Sequence, residues 1–185
     1  EGTLPTRAKR ITNYYYDNNW KDKLIRTEEL VWVNNQYILE NSKNYSYDEI
    51  GNPLNDGTYI YEWEGRKLTR AENQTNNEVI EYRYNDLGYR TYKKVTINSQ
   101  KYDEYFYYLE GDKVIHETID HYNNGSKTTD KIYYTYDVDG TLISMNYNGT
   151  EYFYMRNLQE DVIALLDNSG NIIVEYKYDA WGNII

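Results

Sequence analysis

Four phrases recur along the chain: "YSYDEIGN" at 45–52, "YRYNDLGY" at 82–89, "YTYDVDGT" at 134–141 and "YKYDAWGN" at 176–183. Recurrence of one short unit dictates a repeat architecture, in which each copy buries its surface only against its neighbours. Each part of the unit has a physical reading. In the tyrosine pairs, Tyr45 and Tyr47, Tyr82 and Tyr84, Tyr134 and Tyr136, Tyr176 and Tyr178, the rings stand at i and i+2. That spacing puts both rings on one face of a strand, where planar side chains pack well on the pleat. The turn that follows uses Asp48 and Gly51, Gly88, Asp137 and Gly140, or Asp179 and Gly182. An acidic residue at i and glycine at i+3 fit a type I turn whose glycine takes the left-handed position of a three-residue hairpin loop. Segments such as "TLISMNY" and "NIIVEYKY" then supply the return strand.

Looser copies are "YYYDNNWKDKL" (14–24), with Trp20 near the expected glycine, "YIYEWEGR" (59–66), "YFYYLEGD" (105–112), and "YFYMRNLQED" (152–161), which lacks the glycine. The glycines at 51, 65, 88, 111 and 140 are 14, 23, 23 and 29 residues apart, so the unit tolerates insertions. The whole chain, 1–185, reads as one repeat segment with units near 14–25, 45–54, 59–68, 82–91, 105–115, 134–143, 152–163 and 176–185. An inserted hairpin over 26–44 would turn at Asn34-Asn35, and Asn124-Gly125 and Asn148-Gly149 are further short hairpin signals. "NLQEDVIALLDN" (157–168) resembles a helix in composition but lies between a tyrosine pair and the turn "DNSGN", so it is assigned to a strand. The expected class is all-β: repetitive antiparallel hairpins in an elongated, twisted sheet.

Composition limits the interior and the partners. A chain of 185 residues can bury a sizeable core, but 25 Tyr against two Phe and two Met leave much apolar surface carrying a hydroxyl that needs water or a partner. The net charge of −10, with 20 Lys and Arg dispersed, argues against a nucleic-acid partner and against attachment to an anionic membrane. No apolar run approaches the about 20 residues of a membrane span. Without cysteine there is neither disulfide nor thiolate chemistry. Beginning at Glu1 without an initiator Met and ending two residues beyond "WGN", the chain reads as a piece of something longer, whose targeting signal lies elsewhere.

The chemistry-bearing residues point to no enzyme, cofactor or metal. His116 and His121 are five apart and in a strand face opposite ways, so no ligand set with Glu117 or Asp120 is expected. Asp137 and Asp139 in "DVDG" lack the rest of a calcium loop. Glu62 and Glu64, neighbours on one strand face, do not oppose each other across a cleft as glycosidase carboxylates do. Neither histidine lies near a nucleophile motif. Four Asn-x-Ser/Thr sequons, at Asn44, Asn73, Asn124 and Asn148, are read as accidents of an Asn-rich chain. Exposed tyrosines stacking on sugars, as in a carbohydrate-binding or adhesion module, are the alternative to a packing role. Their fixed place relative to each turn favours packing.

These residues resemble the YD-repeat, or Rhs, family, above all in "YSYDEIGNPL", "YEWEGRKL" and the stretch "MRNLQEDVIALLDNSGNIIVEYKYDAWGNII". The resemblance covers essentially the whole chain. It implies a fragment of a spiral β-shell around a passenger polypeptide, commonly a C-terminal toxin, as in insecticidal toxin complexes and bacterial contact-delivered toxins; teneurins use a related shell in cell adhesion. It also implies a secreted or cell-surface bacterial location. The "DPxGL"-like segment associated with self-cleavage has no match here, so no autoproteolytic residue and no toxin activity carry over. The expectation is a non-catalytic wall segment partnered by neighbouring repeats and by the C-terminal effector. Self-association through free sheet edges is expected as well.

Overall fold

The computed structural model describes residues 9–179 together with Gly182 and Ile184. Every regular element among them is a strand, and within each sheet every strand pairs antiparallel with its successor, whereas β3 and β4 belong to different sheets. The chain divides into two compact units, Glu1–Glu81 and Tyr82–Ile185.

In the first unit β1 (Arg10–Tyr16), β2 (Leu24–Val33) and β3 (Gln36–Asn44) form a three-stranded sheet. The β2–β3 hairpin turns at Asn34 and Asn35, both with positive φ (48° and 65°), and Val33 pairs with Gln36. Five more strands follow in chain order: β4 (Ser46–Tyr47), β5 (Pro53–Asn55), β6 (Tyr59–Glu64), β7 (Lys67–Asn73) and β8 (Val79–Tyr84). The turn between β5 and β6 reads "NDGT" and lies outside the repeated phrases. Asp56 Oδ1 accepts the N–H groups of Thr58 and Tyr59, and Oδ2 accepts the Tyr61 hydroxyl. Gly57 lies so close to β3 that an added Cβ would sit 2.6 Å from Lys43 Cβ, so no larger residue fits there without backbone movement.

In the second unit the order continues from the end of β8 through β9 (Arg90–Asn98), β10 (Lys101–Glu110), β11 (Lys113–Asn123), β12 (Ser126–Tyr136), β13 (Leu142–Tyr147), β14 (Thr150–Arg156), β15 (Val162–Leu166) and β16 (Ile172–Glu175). Of the stretch 157–168 assigned to a strand, Val162–Leu166 forms β15, whereas 157–161 forms a turn closed by the Glu160 N–H on Asn157 O. The long spacing between Gly111 and Gly140 is taken up by the β11–β12 hairpin, which turns at Asn124-Gly125 with Asn123 opposite Ser126.

The sheets bury little. Among the described residues only Ala71, Tyr92, Ala164 and Leu165 are buried apolar residues, so the sizeable core that the chain length allows does not form. The cause is alternation: β6 and the later part of β12 alternate half-buried and exposed residues at every step, as a sheet does when no second layer covers its outer face. No helix among the described residues is long and apolar enough to cross a membrane.

Candidate functional site

The repeated turn is the most regular object in the molecule. At 48–52 the Gly51 N–H donates to Asp48 O (3.3 Å) and the Asp48 N–H donates to Asn52 O (2.9 Å), while Asp48 Oδ1 accepts the N–H groups of Ile50 and Asn52. The same bonds recur at 137–141, where Gly140 donates to Asp137 O and Asp137 Oδ1 accepts from Asp139 and Thr141. They recur again at 167–171, around Asp167 and Gly170 in the turn "DNSGN". At 85–89 asparagine replaces aspartate: Gly88 donates to Asn85 O and Asn85 Oδ1 accepts the Tyr89 N–H. In the last copy Gly182 donates to Asp179 O at 3.1 Å; Ala180, Trp181, Asn183 and Ile185 of the 176–185 unit lie outside the described residues.

One side-chain carboxylate thus satisfies backbone donors that a tight reversal would otherwise leave unpaired. At Asp167 these bonds favour the ionised form. The Asn171 side-chain amide, and then its backbone N–H, hold that carboxyl below its ordinary 3.8.

At three of the turns the tyrosine immediately before does a second job. Tyr47 Oη donates to Leu24 O (2.9 Å), Tyr136 Oη to Val114 O (2.8 Å) and Tyr178 Oη to Val162 O (2.8 Å). Each acceptor opens the return strand that follows the preceding turn: Leu24 begins β2, Val114 is second in β11 and Val162 begins β15. Two other residues occupy the equivalent place. Trp63 Nε1 donates to Pro53 O (2.7 Å) at the head of β5, and Arg156 Nη2 to Leu142 O (3.2 Å) at the head of β13. A donor at one turn therefore fastens the base of the hairpin before it. The register shifts by one residue beside Tyr47, Trp63, Tyr136 and Arg156, the local bend a β-bulge produces.

The first tyrosine of each pair is placed differently. Tyr45 Oη lies 3.3 Å from Thr27 Oγ1, the Arg90 guanidinium sits over the Tyr82 ring at 4.3 Å and over Tyr84 at 6.0 Å, and the Tyr134 hydroxyl donates to Glu117 Oε2. Tyr176 donates its backbone N–H to Ile163 O and stacks on Tyr178 at 6.5 Å.

The two faces of the β9–β13 region differ. On one, Tyr105, Tyr107 and Tyr134 lie near Lys93 and Glu117, and Lys93 Nζ is 3.6 Å from the Tyr105 ring centroid. Burial pushes the Lys93 ammonium down and the Tyr107 phenol up to about 12, so this face is aromatic and keeps its phenols protonated. On the other face Tyr102 and Tyr122 stack at 4.4 Å, with Lys94 over the first ring and Lys127 over the second. His116 is sandwiched there between Tyr108 (4.8 Å) and Tyr133 (4.3 Å, 1° between planes). Although Tyr108 and Tyr133 are 51% and 49% exposed, the inner face of each ring packs on the imidazole.

His121 faces the opposite way from His116. Its Nδ1 lies 2.8 Å from Asp103 and its Nε2 3.2 Å from Asp130. The two carboxylates occupy opposite ring nitrogens and cannot join the imidazole around one ion; among the described residues no group of three or more His, Cys, Asp and Glu is disposed to hold a metal. Glu62 is engaged by Arg70 at 3.1 Å. Of the four sequons, Asn73 is only 8% exposed and its Oδ1 accepts both the N–H and the hydroxyl of Thr75, which leaves no room for a glycan.

A family model described as Teneurin YD-shell matches residues 4–185. The tRNA3(Ser)-specific nuclease WapA of Bacillus spizizenii is 36% identical over 153 residues, 82% of this chain and 6% of that protein. Teneurin-3 of Mus musculus is 27% identical over 183 residues, 97% of this chain and 6% of that protein. The chain therefore spans about 6% of the length of these curated relatives. A solved structure described as TcdB2-TccC3 without its hypervariable C-terminal region shares the fold, with a TM-score of 0.55 at 16% identity over 94% of this chain and 10% of that one.

Proposed function

The chain belongs to the Teneurin YD-shell family, and from that membership we propose that it is a non-catalytic wall segment of a β-shell that encloses a C-terminal effector and helps deliver it. One observation carries this reading: the repeated side chains are spent on holding strand to strand. Tyr47, Trp63, Tyr136, Arg156 and Tyr178 each fasten the hairpin before them, and Asp48, Asp137 and Asp167 each fill their own turn. A wall acts by excluding solvent and proteases from what lies behind it, and that role needs continuity of backbone pairing more than a reactive group. The same proposal places the segment in a secreted or cell-surface protein. It also makes the exposed terminal strand β16, with Ile172, Ile173 and Val174 open to solvent, a surface for association with further strands.

The test uses a full-length protein carrying this segment, treated with increasing protease. The C-terminal effector should resist cleavage in the intact protein and become sensitive when Asp48, Asp137 and Asp167 are all replaced by alanine. Equal cleavage rates for the effector within the protein and for the isolated effector would refute enclosure.

A further inference from the structure

We propose that Asp103, His121 and Asp130 form an acid-closed clasp across strands β10, β11 and β12, complete when His121 is an imidazolium and open on its β12 side when the imidazole is neutral. The argument is one of donor count. Asp103 on β10 and Asp130 on β12 are carboxylates on opposite sides of a single ring, 2.8 Å from Nδ1 and 3.2 Å from Nε2. A carboxylate only accepts, and a neutral imidazole carries one N–H, so both contacts are hydrogen bonds only when both nitrogens are protonated. With one proton lost, a nitrogen lone pair faces a carboxylate oxygen, and one of the two contacts turns repulsive.

The geometry also says which contact yields. Asp130 has other donors: the Tyr147 hydroxyl reaches Oδ2 at 2.6 Å and the Asn148 amide reaches Oδ1 at 2.7 Å. The Asp103 contact is the shorter of the two. The neutral ring therefore keeps its proton on Nδ1, toward Asp103, and releases Asp130. In the free side chain the proton favours Nε2, so the Nδ1–H form would be a signature of this site.

The surrounding groups leave the bridge in charge of its own titration. On β10, Lys101 lines the same cleft as Asp103, and Tyr105 stands two residues further along. On β9, Val95 lies opposite Asp103, and Lys93 lies opposite Tyr105. On β11 the adjacent Asp120 points to the other face, where Lys127 (2.8 Å) and Thr129 (2.6 Å) hold it. On β13 the facing group is Tyr147. The Asp103 bond, ahead of the Asp130 bond, holds the His121 imidazolium to a pH above its ordinary 6.5. A raised histidine contributes stability that is fully present below 6.5 and is lost as pH rises through its folded-state value. On the β12 side, Tyr147 and then Asn148 hold the Asp130 carboxyl below its ordinary 3.8, so that half of the clasp keeps its charge into moderate acid.

The chain has only two histidines, so ring-nitrogen NMR of the 15N-histidine-labelled protein, assigned with His116→Gln, follows the clasp directly. His121 should titrate above 6.5 and pass to the Nδ1–H form, and amide protection factors along β11–β12, each taken against the intrinsic exchange rate at the same pH, should be larger at the acid end. In Asp103→Asn and in Asp130→Asn, measured separately so that one misfolded variant does not end the test, the midpoint should fall toward 6.5. A midpoint at or below 6.5 in the parent chain, a neutral Nε2–H form, or a midpoint unmoved in both variants would each overturn the clasp.

Discussion

Glu160 holds a left-handed conformation, φ 67°, at the place where the other repeat turns carry glycine. Its N–H still donates to Asn157 O, and Asn157 Oδ1 still accepts from Gln159 and Asp161, so the turn forms despite the wrong residue. A side chain with a Cβ pays for that conformation in steric contact, roughly 1–2 kcal/mol, against the greater chain entropy that glycine loses on folding. Glu160→Gly should therefore stabilise the chain by about 0.5–1 kcal/mol, read as a raised urea midpoint; a lower midpoint would mean the Glu160 side chain holds something that its backbone geometry does not reveal. At Gly51, φ 89°, the reverse holds, since glycine is already the residue the backbone wants. This missing glycine was visible in the sequence. That the turn would survive it was not, because survival depends on Asn157 supplying the acceptors that aspartate supplies elsewhere.

At the scale of the strand and its turn, the hairpins were legible because alternation and turn chemistry are local. Two things were not. The glycines at 65 and 111 belong to a different turn: Glu64 pairs with Lys67 and Glu110 with Lys113, so each loop has two residues with glycine first, the arrangement of the II′ class. A spacing count treats them as copies of the three-residue loop. The fastening by Tyr47, Tyr136 and Tyr178 was equally hidden, since donor and acceptor are 23, 22 and 16 residues apart and meet only once the pairing register is known. Arg156 shows that the position asks for a long donor and not for an aromatic ring. Tyr136→Phe keeps the ring and removes the hydroxyl, and should cost about 0.5–1.5 kcal/mol, the net worth of one such bond. Thermal unfolding checks it, and an unchanged melting temperature would reduce the Val114 contact to a bystander.

For the molecule as a whole, the way the sheets are held decides how they come apart. The strand pairs in substantial contact are all consecutive in the chain, and few apolar side chains are buried among the described residues. With so little interior among the described residues of each unit to couple distant strands, stability within a unit approximates a sum of hairpin terms and neighbour terms. Cations do part of the joining: Arg83 lies over Tyr92, Arg90 over Tyr82 and Lys94 over Tyr102, so the dispersed positive charge that argued against nucleic acid in the sequence is spent on tyrosine faces. Damage within the second unit should then stay local. Asp167→Ala removes the acceptor for the Ser169 and Asn171 N–H groups at the β15–β16 turn. Native-state hydrogen exchange should quicken along β14, β15 and β16 while β10 and β11 keep their protection, because the opening of one hairpin exposes only its neighbours' edges. Uniform acceleration across β9–β16 would instead show a cooperative wall, and the local bonds at each turn would then matter less than the sheet they build.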